Sequence, residues 1–129
     1  MQPGPLAAHA ERTRSLQPRD GKGAAIDMRI LAQILERLRE MLGPEQVWLF
    51  GSRARGDATH DSDWDLFVVM PDDASEDAYN PGRTWPLRRG AGVRADLAFC
   101  RASEFADARS IVNTLAHDVE REGVLIYER

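Results

Sequence analysis

Apolar residues recur at Leu31, Ile34, Leu35, Leu38 and Leu42, spacings of three and four that place them on one face of a helix. Arg37, Arg39 and Glu40 fall off that stripe. Asp27 stands where an N-cap belongs, and Gly43-Pro44 is a stop signal. The period then changes. Val47-Trp48-Leu49-Phe50 is a short apolar run that predicts a strand, and Gly51 and Gly56 bracket a turn with room for a short helical piece. Asp61-Ser62 lead into a second predicted strand from Asp63 to Met70, ended by Pro71. A third is predicted from Val93 to Phe99. Ser103 is the candidate cap of a last helix whose stripe is Phe105, Ala108, Val112, Leu115 and Val119. Gly123 ends that helix, and Val124 to Tyr127 predicts a final strand. Between 72 and 92 the pattern weakens. Acidic residues (Asp72, Asp73, Glu76, Asp77) give way to Pro81-Gly82, Trp85-Pro86 and a basic cluster of Arg83, Arg88, Arg89 and Arg94, and the prolines limit any helix there.

Residues 1–25 are rich in Pro, Gly, Ala, Arg and Gln without sustained periodicity, which predicts a disordered or loosely attached tail before a domain at 26–129. Met28 opens the first strongly patterned element and is a candidate natural start. A chain of 129 residues, 43% hydrophobic and 29% charged, suits one domain with a buried core. A net charge of −4 and a pI near 5.4 argue against a bulk electrostatic nucleic-acid binder, so no direct nucleic-acid contact is expected. Cys100 is the only cysteine; it excludes an internal disulfide and fits a reduced cytoplasm. No apolar run approaches a membrane span, and the N-terminus lacks the apolar core of a signal peptide, so a cytoplasmic protein without a membrane partner is expected.

The candidate chemistry lies between Gly51 and Leu66. A small-residue turn after a strand can offer backbone N–H groups and a hydroxyl to phosphate. Asp63 and Asp65 sit at i and i+2, so on a strand they project together while Trp64 and Leu66 point the other way. A third acid, Asp96, is flanked by apolar residues in Val93-Arg94-Ala95-Asp96-Leu97-Ala98-Phe99. Such an aspartate is costly unless compensated, and beside two more carboxylates a cation is the natural compensation. An Asp-x-Asp pair alone is an ordinary loop edge, and Gly-Ser alone an ordinary turn. The run Asp61-Ser62-Asp63-Trp64-Asp65 also mimics the start of a calcium loop, but Leu66 and Asp72 stand where that loop needs Gly and Glu. The joint pattern is far more specific than its parts.

Gly51-Ser52, residues 53–62, Asp63-Trp64-Asp65 and the later Asp96 resemble the signature of the nucleotidyltransferase superfamily whose catalytic domain is like that of DNA polymerase β. The fuller form, Gly51-Ser52-Arg53-Ala54-Arg55-Gly56 with Ser62-Asp63-Trp64-Asp65-Leu66, is similar to its small prokaryotic branch, the minimal nucleotidyltransferases. The resemblance covers roughly residues 27–129, loosely over 72–92. It implies an α/β (α+β) fold with a mixed β-sheet and helices packed on one face. It implies that Gly51, Ser52 and nearby amides hold the β/γ-phosphates, with Arg53 and Arg55 adding positive charge. It implies that Asp63, Asp65 and Asp96 are both catalytic and metal-ligating, with two Mg²⁺ and ATP as the nucleotide donor. Asp96 would help deprotonate the attacking hydroxyl, and pyrophosphate would leave. Many members of this branch pair with a helical toxin of the HEPN type and adenylylate it as its antitoxin. Others in the superfamily modify aminoglycosides, generally with an added helical acceptor domain for which this chain has no room after Tyr127. A protein acceptor is therefore expected, in a homo- or hetero-oligomer; a small-molecule acceptor and a contact-only antitoxin are the alternatives.

Remaining residues carry weaker signals. His60 reads as a polar loop residue beside the motif and His117 as a surface residue. Cys100 reads as a small apolar packing group. Trp48 and Trp64 are expected in or near the core, and Trp85 with Arg83, Arg88 and Arg89 is either a partner-contact patch or a solvated loop with one anchor.

Overall fold

The computed structural model describes residues 17–75, 77, 80, 87 and 94–129. Helix α1 spans Met28–Leu42, and Asp27 caps it by accepting the Arg29 N–H at 3.0 Å. Its stripe is buried at Leu31, Ile34 and Leu38, with Leu35 and Leu42 packed at the margin. The Gly43 N–H closes on the Leu38 carbonyl at 3.2 Å, and the buried Pro44 turns the chain into β1, Gln46–Phe50. A one-turn helix α2, Ser52–Arg55, is followed by β2, Trp64–Met70. Strand β3 is Ala95–Arg101, helix α3 Ala102–Ala108, helix α4 Leu115–Glu122 and strand β4 Val124–Glu128.

The strands form one four-stranded sheet in the order β3-β2-β1-β4. β1 pairs antiparallel with both β2 and β4, whereas β2 and β3 run parallel. The mixed sheet of an α+β fold is present, but its helices lie on both faces rather than on one. Trp64, Leu66, Val68 and Met70 face α1, together with Val47, Leu49 and Ile126. The alternate residues Phe67 and Val69 face Phe105 of α3 and Ala116 and Val119 of α4, with Trp48 and Phe50 beside them. Period-two alternation along a fully buried central strand requires this: both faces of β2 are apolar, so both need a cover. Leu87, fully buried, is the one described residue of 81–93 and joins the α1 side of the core. Trp85, Arg83, Arg88 and Arg89, and the patch expected of them, lie outside the described residues.

Two further expectations are corrected. The single last helix is two helices. Thr114 caps α4 by accepting the His117 N–H at 3.1 Å, and its hydroxyl lies 2.9 Å from the Ala108 carbonyl and 2.8 Å from that of Ile111. Asn113 turns the chain with φ 70°, so Val112 and Leu115 leave the stripe and are exposed. Ser103 does not cap α3; its N–H donates to the Asp72 carboxylate at 2.8 Å, a cap supplied from beyond the end of β2. The second correction concerns the N-terminal segment. Residues 1–16 lie outside the described residues, but 17–26 are not loose. Arg19 bridges Ala25, and the Asp20 carboxylate accepts the N–H groups of Lys22 and Ala24 at 2.9 and 3.0 Å. The Gly21 N–H donates to the Ala54 carbonyl of α2 at 2.8 Å, and Lys22 pairs with Asp57 at 3.3 Å. Composition alone does not reveal a tail that docks by backbone bonds. Among the described residues no helix is long and apolar enough to cross a membrane.

Candidate active site

The parallel pairing of β2 with β3 sets two carboxylates side by side. Asp65 is opposite Asp96 in the register, and alternation puts both on the sheet face of Phe67 and Ala98. Asp63 precedes Asp65 by two residues, just outside β2, and continues the same row. On the other side of β2, Phe50 is opposite Asp65, so the turn that begins at Gly51 starts beside this carboxylate.

Glycine is required there. Gly51 has φ 75°, and a side chain on it would run into the Asp65 carboxylate. Its carbonyl accepts the N–H groups of Ala54 and Arg55, each at 3.1 Å. One-turn helix geometry leaves the N–H groups of Ser52 and Arg53 without an acceptor inside the turn. Gly56, at φ 90°, closes the turn by donating to the Ser52 carbonyl at 3.0 Å. A Cβ at Gly56 would approach Lys22 Cγ to 3.0 Å, so the N-terminal hairpin packs tightly against the turn.

Charge accumulates along the aspartate row. Burial pushes the Asp65 carboxyl above its ordinary pKa, the charges of Asp96 and then Asp63 push it further, and Arg55 offsets part of the rise. Arg55 also pairs with Asp57 at 3.2 Å and Glu122 at 3.9 Å. Arg53 is engaged differently from what the motif suggests. Its guanidinium carbon lies 4.1 Å from the centroid of the Trp64 ring. Its Nη2 donates to the carbonyls of Ser62 at 2.8 Å and His60 at 3.2 Å, and its Nε to Ser62 at 3.1 Å. These bonds tie the 60–62 loop to α2, so Arg53 positions the segment that carries Asp63.

Arg94 is the site residue that the motif does not flag. Its Nε lies 3.0 Å from Asp63 Oδ1, but the N–H is not aligned on the oxygen, and Oδ1 is enclosed without accepting any hydrogen bond. Its Nη2 donates to the Asp61 carbonyl at 2.6 Å, and its own carbonyl accepts the Trp64 N–H at 2.8 Å. Spacing gives no hint of this; only the parallel pairing brings residue 94 beside 63. His60 is an exposed loop residue 3.3 Å from Asp61, as its position suggests. His117 is half-buried rather than on the surface and donates Nδ1–H to the Arg109 carbonyl at 3.0 Å. Cys100 is half-buried in the cluster around Phe105.

Among the described residues no three Asp, Glu, His or Cys side chains converge tightly enough to enclose an ion by themselves. The aspartate row nonetheless fits a hard divalent cation. Mg²⁺ takes few protein carboxylates and completes its shell with water and phosphate oxygens. Asp63 Oδ1 is an enclosed acceptor without a hydrogen bond, and burial together with the charges of Asp96 and Asp63 raises the pKa of Asp65. Among the described residues neither has a hydrogen-bonded cationic partner: Arg94 stands beside Asp63 without an aligned N–H, and Arg55 acts on Asp65 by charge alone.

A family model described as "Nucleotidyltransferase domain" matches residues 31–119. Comparison with curated proteins yields no significant match. Among solved structures, the chain is similar to a candidate nucleotidyltransferase from Sulfolobus solfataricus, with a TM-score of 0.55 and 20% identity. The match covers 100% of this chain and 93% of that one, and at this identity it speaks for the fold.

Proposed function

The chain belongs to the nucleotidyltransferase-domain family, and from that premise we propose that it transfers AMP from ATP to a protein acceptor in a Mg²⁺-dependent reaction. The observation that carries the reading is Asp65 opposite Asp96, with Asp63 in the same row and the Gly51-Ser52 turn against Asp65. Ser52 Oγ and the N–H groups of Ser52 and Arg53 receive the terminal phosphate oxygens, as a turn of this kind does for anions. Arg55 adds positive charge near Asp65. Asp63, Asp65 and Asp96 are the residues that would hold Mg²⁺, which when bound would supply neutralisation of triphosphate charge and acidification of the attacking hydroxyl. Asp96, the most exposed of the three, accepts the hydroxyl proton. The acceptor oxygen bonds to the α-phosphorus as the bond to pyrophosphate breaks. The contribution of the protein is position and charge placement.

The row opens at the end of the sheet: Asp96 is exposed, and the Asp63 side chain is 44% exposed. That suits an acceptor side chain presented by another macromolecule. The similarity of the Gly51–Gly56 and Ser62–Leu66 segments to minimal nucleotidyltransferases supports a helical toxin of the HEPN type as acceptor, with this chain as its cytoplasmic antitoxin. The test is incubation of the purified protein with α-labelled ATP, Mg²⁺ and the product of the adjacent gene. Label transfer that is lost in Asp63→Asn and Asp65→Asn is expected. Equal transfer by the variants would refute the assignment of the aspartates. Neutralisation of the partner in cells by Asp63→Asn would show that contact rather than chemistry silences it.

A further inference from the structure

Asp63 already has a cation beside it. Arg94 Nε stands 3.0 Å from Asp63 Oδ1 while Arg94 Nη2 is fastened to the Asp61 carbonyl. On the reading of the aspartates as metal ligands, on which this inference rests, we infer that Arg94 is a built-in counter-cation: its guanidinium covers Asp63 while the site is free of metal, and a divalent cation must displace it to use that carboxylate.

Four features make the arginine displaceable rather than structural. Its side chain is 76% exposed, so little packing holds it. Its N–H is not aligned on Oδ1, so leaving breaks no well-formed hydrogen bond there. Its Nη2 bond to Asp61 and the backbone bond from Trp64 to its carbonyl can persist when Nε moves away, which keeps the group at the rim of the site. The 60–62 loop is also clasped from the opposite side by Arg53, so it does not depend on Arg94 for its path. The exchange substitutes one cation for another at the same carboxylate. It gives Asp63 a counter-charge before metal arrives, and it raises the metal concentration needed to load the site.

The test is Mn²⁺ binding to the full chain without nucleotide, followed by electron paramagnetic resonance, for the natural protein, Arg94→Gln, Arg94→Ala and Arg94→Lys. Glutamine keeps a donor for the Asp61 carbonyl without the charge. An exposed ion pair of this kind is worth a few-fold in affinity, so Arg94→Gln is expected to bind Mn²⁺ about two- to fivefold tighter, with Arg94→Lys close to the natural protein. A second readout is thermal unfolding. Arg94→Gln and Arg94→Ala are expected to melt below the natural protein in EDTA, and the gap is expected to close in saturating Mg²⁺. Unchanged or weaker Mn²⁺ binding by Arg94→Gln, with binding by the natural protein intact, overturns the inference alone. A melting gap of the same size with and without Mg²⁺ marks a merely structural clasp and also overturns it. Absence of Mn²⁺ binding by the natural protein overturns the metal site itself, and the inference with it.

Discussion

Asp65 is the residue on which the electrostatics of the site converge. Its carboxyl titrates above its ordinary value because it is partly buried and faces Asp96 and Asp63. The folded state therefore holds this proton at pH values where the unfolded chain has released it. As pH rises through the folded pKa the proton is lost, and with it the stability it contributed; above that pH the full penalty of the ionised row remains. Asp65→Asn should thus stabilise the metal-free protein at neutral pH and flatten its stability–pH curve. Denaturant titration in EDTA at a series of pH values checks this. The same variant should lose nucleotide transfer and any Mg²⁺-dependent rise in melting temperature. Gly51→Ala meets both a positive φ and the Asp65 carboxylate, so a loss of about 2 kcal/mol or more is expected by the same measurement. At this scale the acids were legible, because a strand register turns sequence parity into a shared face. Arg53 and Arg94 were not. A long cationic side chain reaches carbonyls on whichever loop the fold brings near, and spacing does not encode which.

Elements were legible where the cap and the stripe agreed, as in α1, where Asp27, the leucine face and Gly43 all mark the same bounds. They were misread where periodicity ran across a break. Phe105, Ala108, Val112, Leu115 and Val119 suit one continuous helix, but the Thr114 hydroxyl takes up backbone groups on both sides of the gap and outweighs the period. Thr114→Ala should cost about 1 kcal/mol, and more than Thr114→Ser, which keeps the cap. Chemical denaturation followed by circular dichroism measures both. The start of α3 was illegible for a different reason: its cap, Asp72, lies 31 residues away from the Ser103 N–H it serves, a separation that no local signature carries.

For the molecule as a whole, the mixed sheet was legible, but the second helical cover that the two apolar faces of β2 require was not, and the docking of the N-terminal hairpin could not be read from its Gly- and Pro-rich composition. A chain begun at Met28 lacks that hairpin and the Asp27 cap together. It should melt at lower temperature, by an amount equivalent to about 1–3 kcal/mol, and hold the Gly56 end of the turn less firmly; scanning calorimetry and amide exchange at Gly56 report the two effects. The parallel register of β2 and β3 has a kinetic consequence as well. Gly51, Asp63 and Asp65 are brought close by the antiparallel β1–β2 pair, a local closure through a short loop. Asp96 joins them only after a crossover connection returns the chain to lie beside β2, and closing such a long loop costs more chain entropy than closing the short one. The constellation is therefore completed late in folding. Substitutions on β3, such as Ala98→Gly, should leave the refolding rate nearly unchanged and speed unfolding instead, so a newly made chain passes through a nearly finished fold before it can hold all three carboxylates together.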